Sequence, residues 1–165
     1  MSDLKDVNRI PDLLKRMKNF KATEVRGGVI GKGHLNMIAG VNEFGMKIKV
    51  TAKMRKYLAS QGLYLLKNTK HITIPERAFL RNTFDNKKTV AKIYEDSTKD
   101  IFNLDVKEKQ ITEQMGVLLV AAIRKSISSN IKPKNHPFTT QQKGGKNKTL
   151  IVDGNLLRGV GFRVV

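Results

Sequence analysis

Three histidines, a glycine-rich run and a small knot of carboxylates are the residues of this 165-residue chain that could carry chemistry. His34, His71 and His136 lie far apart, none with a second histidine at metal-ligand spacing, so no metal centre is expected. Gly27-Gly28-Val29-Ile30-Gly31-Lys32-Gly33-His34 invites a phosphate-loop reading, but its spacing fits neither GxxxxGK[ST] nor GxGxxG. His34 also stands where a Ser or Thr would be needed, and a hairpin turn with positive-φ glycines fits better. Glu95-Asp96 and Asp100 could gather a cation, although a solvated helix face accounts for them more simply. The chain has no cysteine nucleophile and no serine in a GxSxG elbow. The expectation is a protein that is not an enzyme, with no catalytic residue, cofactor or metal.

Binding is the stronger theme. The formal net charge is +18, which favours a polyanionic partner: nucleic acid, an acidic protein surface or an anionic membrane. A basic surface that is merely solvated is the plain alternative. From Met46 to Pro75 there is no acidic residue, while Lys47, Lys49, Lys53, Arg55, Lys56, Lys67 and Lys70 are all basic. Tyr57 and Tyr64 in the same excursion could stack on bases, yet no zinc finger, RNP aromatic pair or GXXG loop accompanies them. A second basic stretch, Asn130 to Lys148, carries Lys132, Lys134, Lys143, Lys146 and Lys148 with two prolines and two glycines. A loop of that length in a compact domain is usually functional.

The elements that must position these residues can be read in order. Leu4, Val7, Ile10, Leu14 and Met17 form the apolar stripe of a helix over residues 1–20, capped at Asp3, with a fresh start at Pro11. The stripe is expected to face the core. Lys21 to Ile30 alternates as a strand, and Leu35 to Val41 gives the strand returning from the glycine hairpin, closed by a turn at Asn42-Glu43-Phe44-Gly45. Thr51 caps a helix to Ala59, which Gly62 ends. Lys70 to Ile74 is extended up to Pro75, which should start a helix running to Asn103 with a break near Asp85-Asn86. Phe79, Leu80 and Phe84 share its apolar face, with Arg77 and Arg81 stacked beside them. Asp105 and Glu108 resemble a capping pair for the longest helix, Val106 to Ser129, with the stripe Ile111, Met115, Leu118, Leu119, Ala122, Ile123 and Ile127. In that helix, Gly116, Ala121 and Ala122 would admit a close neighbour. Thr149 to Val152, a turn at Asp153-Gly154 and a strand Val160 to Val164 close the chain.

At this length, with 39% hydrophobic residues, residues 1–165 should form one domain with its own core. The absence of cysteine, of a long apolar run and of an apolar leader at Met1–Lys5 fits a soluble protein made in the cytoplasm.

In their order, several of these features resemble the neck and tail-completion proteins of tailed bacteriophages, also called minor tail components or virion morphogenesis proteins. The marks are the turn Val41-Asn42-Glu43-Phe44-Gly45, the corner Ile74-Pro75-Glu76-Arg77-Ala78-Phe79-Leu80-Arg81 and Gly116 within the long helix. Pro133 and Pro137 in the loop and the closing run Lys148 to Leu156 complete the set. The resemblance covers Leu35 to the C-terminus. It implies an α+β domain whose antiparallel β-sheet, about four strands by the count above, packs against two or three helices, with the basic excursion (46–70) and basic loop (130–148) outside. It also implies a structural virion protein: a homo-oligomeric ring, hexamer or dodecamer, joining the head connector and the tail around the DNA channel. Its partners would be a head-closure or connector protein, a tail terminator or tail-tube protein, and packaged DNA, with no membrane. Lys47, Lys49, Lys53, Arg55, Lys56, Arg77, Arg81 and the five lysines of the 130–148 loop are then the candidates for an interface or the channel. The alternative is a small basic nucleic-acid-binding protein without enzymatic activity.

Overall fold

The computed structural model describes residues 8–31, 33–145 and 148–165. The expected helix cap at Asp3, with Leu4 and Val7, and the loop lysine Lys146 lie outside these. In chain order the elements are α1 (Ile10–Ala22), β1 (Val25–Val29), α2 (His34–Phe44), β2 (Met46–Lys49), α3 (Ala52–Ser60) and β3 (His71–Ile74). There follow α4 (Phe79–Phe84), α5 (Lys87–Thr98), α6 (Glu108–Ser128), α7 (Pro137–Gln142), α8 (Asn155–Arg158) and β4 (Val160–Val164).

The long helix α6 is the spine. Its Ile111, Met115, Leu119, Ile123 and Ile127 are buried at the spacing its stripe demanded, while Leu118 and Ala122 are half-buried at the edge. Leu119, Ile123 and Ile127 join Ala39, Phe79, Leu150, Leu156 and Val160 in one apolar cluster. The core therefore sits over the C-terminal half of α6. Lys107, rather than Asp105, stands at the helix start, and its N–H donates to the Gln110 side chain at 3.0 Å.

One sheet lies on this spine. β1 pairs antiparallel with β4, from Val25 opposite Val164 to Val29 opposite Val160. Small residues let helix and sheet interlock. Leu119 packs against Gly27, where an added Cβ would come within 2.5 Å of Leu119 Cδ2, and Phe162 fills the space a side chain at Gly116 would need. The close approach expected at Gly116 is thus made by β4.

The second sheet is separate. β2 pairs antiparallel with β3, from Met46 opposite Ile74 to Lys49 opposite His71. The expected sheet of four strands is therefore two sheets of two strands each among the described residues.

Three other expectations are overturned. Leu35 to Val41 is not a returning strand but the middle of α2: Leu35, Ala39 and Glu43 recur at four-residue spacing, and Ala39 and Glu43 are buried. The glycine run consequently forms no hairpin; Gly27 and Gly28 belong to β1, and Gly33 precedes α2. In α1 the stripe Ile10, Leu14 and Met17 faces out, and the buried residue is Arg16, whose guanidinium donates to the carbonyls of Ile101 (3.2 Å) and Asn103 (2.6 Å). Arg16 is one of six Arg side chains that donate to backbone carbonyls among the described residues, a role that apolar periodicity does not register.

Candidate functional site: a basic arm on a pinned corner

β2, α3 and β3 form an arm. No residue from Met46 to Ile74 is buried. Because residues directly opposite in an antiparallel pair share a face, Lys47 and Lys49 stand with Thr73 and His71 on one side, all exposed. Ile48 and Ile72 are half-buried on the other. In α3 the Thr51 hydroxyl accepts from the Met54 N–H at 3.1 Å, the cap expected of it. Lys53 and Lys56 project into solvent, as do Tyr57 (63% exposed), Tyr64 (80%) and Leu66 (74%). Arg55 holds the arm together: its guanidinium donates to the carbonyls of Leu65 (3.0 Å), Leu66 (2.8 Å) and Thr69 (2.9 Å). Lys47, Lys49, Lys53, Lys56, Lys67 and Lys70 make no ion pair or side-chain hydrogen bond among the described residues.

The arm is rooted at Gly45 and the corner Ile74–Arg81. Gly45 has φ +70, and a Cβ there would lie 3.0 Å from the Glu76 nitrogen and the Ile74 carbonyl, so both conformation and space call for glycine. Across this crossing the Arg77 N–H donates to the Asn42 carbonyl at 2.6 Å. The helix expected to start at Pro75 starts instead at Phe79. Its cap comes from 37 residues upstream: the buried Glu43 carboxylate accepts from the N–H groups of Leu80 and Arg81, each at 2.9 Å. In the sequence Glu43 stands only as part of a turn. The available signal was an acid in a chain of only 14, placed just before an aromatic-glycine helix end.

The two corner arginines divide. Arg77 is buried, its Nε donating to the Pro133 carbonyl at 2.9 Å, and burial pulls its pKa below the ordinary value. It clamps the 130s loop. Arg81 is half-exposed: it donates to the Glu43 carbonyl (2.6 Å) and to Glu76 Oε1 (2.7 Å), and lies 5.3 Å from the centre of the exposed Phe44 ring.

In the 130–148 loop, Lys143 is also an internal clamp, donating to the carbonyls of Lys148 (3.0 Å), Thr149 (2.9 Å) and Ile151 (3.3 Å). Burial, and then the nearby Arg77 charge, lower its pKa. Lys148 reaches the Ser128 carbonyl at 3.1 Å, while Lys132 and Lys134 are exposed. Arg124 likewise donates to the carbonyls of Leu157 (3.1 Å) and Val160 (3.2 Å). Part of the +18 charge is therefore internal mortar, while the arm presents exposed lysines with no acid among them.

The histidines and the acidic cluster do not converge. His34, His71 and His136 are exposed on separate elements, and His136 Nδ1 accepts from the Phe138 N–H at 3.2 Å. Asp96 pairs with Lys99 at 2.7 Å, and that hydrogen bond lowers its pKa. Among the described residues no three His, Cys, Asp or Glu side chains gather where they could hold a metal ion, and no helix is long and apolar enough to cross a membrane. Comparison with protein families, curated proteins and solved structures gave no match.

Proposed function

We propose that this chain is a structural assembly protein of the neck or head-proximal tail of a tailed bacteriophage, without enzymatic activity. Copies of it form a ring that joins the head connector to the tail around the DNA path. The carrying observation is the arm: residues 46–74 hold no buried residue and no acid, yet present Tyr57, Tyr64 and Leu66 to solvent. A segment of that composition, held in shape by Arg55 and rooted on a corner capped by Glu43, is suited to be buried by something else. The order of the Asn42–Gly45 turn, the Ile74–Arg81 corner, Gly116 and the closing segment supports the phage assignment. On this reading the protein assembles in the bacterial host and resides in the virion. Exposed Lys132 and Lys134 stand ready for the connector, the tail-tube side or DNA.

A second reading, a small basic nucleic-acid-binding protein, draws on Tyr57 and Tyr64, which sit among unpaired lysines as a stacking surface would. Solution mass, negative-stain images and DNA titration separate the two. Rings of several copies, alone or on purified connector rings, support the neck reading. A monomer that forms no ring in either setting and binds DNA with a steep salt slope overturns it.

A further inference from the structure

Two apolar features of the body are left open to solvent. The first is the outward stripe of α1, where Ile10 and Leu14 are each 63% exposed and Met17 48%. Arg16, two positions from Leu14 and therefore on the opposite side of the helix, ties α1 to the body through the carbonyls of Ile101 and Asn103. The stripe is thus held facing solvent, with the i, i+4, i+7 spacing of a helix that anchors in a groove.

The second is a groove of about 390 Å³ between α2 and α4, at the small end of ligand-sized pockets, so a few side chains fill it. Val29, Ala39, Gly40 and Phe44 line it with Leu80 and Phe84, and Phe44 is 70% exposed and Phe84 45%. Its Glu43 and Arg81 are engaged with each other and with the corner, which leaves the apolar walls for an occupant. The decisive residue is Gly40. It lies in the middle of α2 with ordinary helical backbone, and a Cβ there would meet nothing within 4 Å. Neither conformation nor packing within the chain calls for glycine at that position, although glycine weakens a helix interior. Bare backbone there gives room for an element that approaches closely from outside.

We propose that the α1 stripe of one copy seats in the α2–α4 groove of the next. The proposal rests on the assembly reading above and names the surfaces. The chain supplies both the anchor and its seat, and both stand open in the same copy, so the contact forms between copies. Because the two surfaces differ, the contact is heterologous: it propagates, and it closes into a ring when the rotation allows. It is also apolar. Each copy carries a net charge of +18, so the contact holds copies together against their mutual repulsion.

The chain has no cysteine, which permits a direct test on the full chain. Leu14→Cys and Gly40→Cys, mixed and treated with a short bis-maleimide, should link to each other well above the level at which either links to itself. Leu14→Gln and Gly40→Gln, read by sedimentation, should each need at least about tenfold more protein to assemble than the wild type, because an amide enters an apolar contact. Gly40→Gln should melt no lower than the wild type, since it replaces a helix glycine at an open position. Added sodium chloride should strengthen wild-type assembly by screening the repulsion between copies. Assembly unmoved by either glutamine overturns this docking while leaving the assembly reading in place. Leu14→Cys linking chiefly to itself points to a contact between two α1 helices and overturns it, as does an assembly that salt dissolves. A wild-type chain still monomeric at about 1 mM also overturns it, whereas the assembly reading falls only if connector rings recruit no ring either.

Discussion

At the scale of single residues, Glu43 is the side chain on which the corner depends. Its carboxylate satisfies two N–H groups at the start of α4 and faces Arg81 Nε at 3.4 Å, all from a nearly buried position. Glu43→Ala should therefore cost about 3 kcal/mol, because two helix amides lose a charged acceptor that water cannot easily replace. Arg81→Ala should cost only about 1 kcal/mol, since the guanidinium is half-exposed and its ion pairs are screened. Phe79→Ala, at a fully buried position, should cost about 4 kcal/mol. Urea titrations of the three variants check the order, and an Arg81 loss equal to that of Glu43 would contradict the capping role. Phe79 could be read from the sequence as an apolar anchor because its signal is local. Glu43 could not, because its partners lie 37 and 38 residues downstream and no periodicity links them. The same holds for Arg77 and Lys143, which read as free cations until the carbonyls they clamp are seen.

At the scale of elements, the strongest periodicities were the legible ones. α6, the Thr51-capped α3 and the break between α4 and α5 stand within a few residues of where patterning puts them. The failures share a cause: a short apolar run beside glycines, Leu35 to Val41, satisfies a hairpin template as readily as a helix until Ala39 and Glu43 are found facing the core. Likewise the stripe of α1 pointed inward on hydropathy, but the loop carbonyls of Ile101 and Asn103 needed Arg16 more than the core needed Leu14. The helix–sheet interlock offers a prediction of its own. Gly116→Ala would force Phe162 off its seat, so it should destabilise by about 2 kcal/mol and lower the melting temperature by several degrees. An unchanged melt would show that β4 sits more loosely on α6 than its packing implies.

At the scale of the whole molecule, a packed body carries an arm that contributes nothing to its core. Limited digestion should reveal that division: trypsin should cut first between Lys47 and Lys70, in a segment rich in lysine and free of buried residues. The two products should stay together, bridged by the contacts of Glu43 and Asn42 with the corner. If the arm is covered in an assembly, the same sites should survive there, so cleavage doubles as a measure of docking. First cuts within α6 would contradict the division.

The pairing of β1 with β4 also sets a timetable. Val25 waits for Val164, and the backbone bonds between Glu24 and Val165 (2.9 and 2.8 Å) extend the same ladder. The strand Val25–Val29 therefore has no partner until Val160–Val164 have been made, and closure across so long a separation is slow. Throughout synthesis the edge of β1 and the facing side of α6 stay open while the basic arm is already complete. Chains cut short before Val160 should thus accumulate as species with a formed arm and an open body.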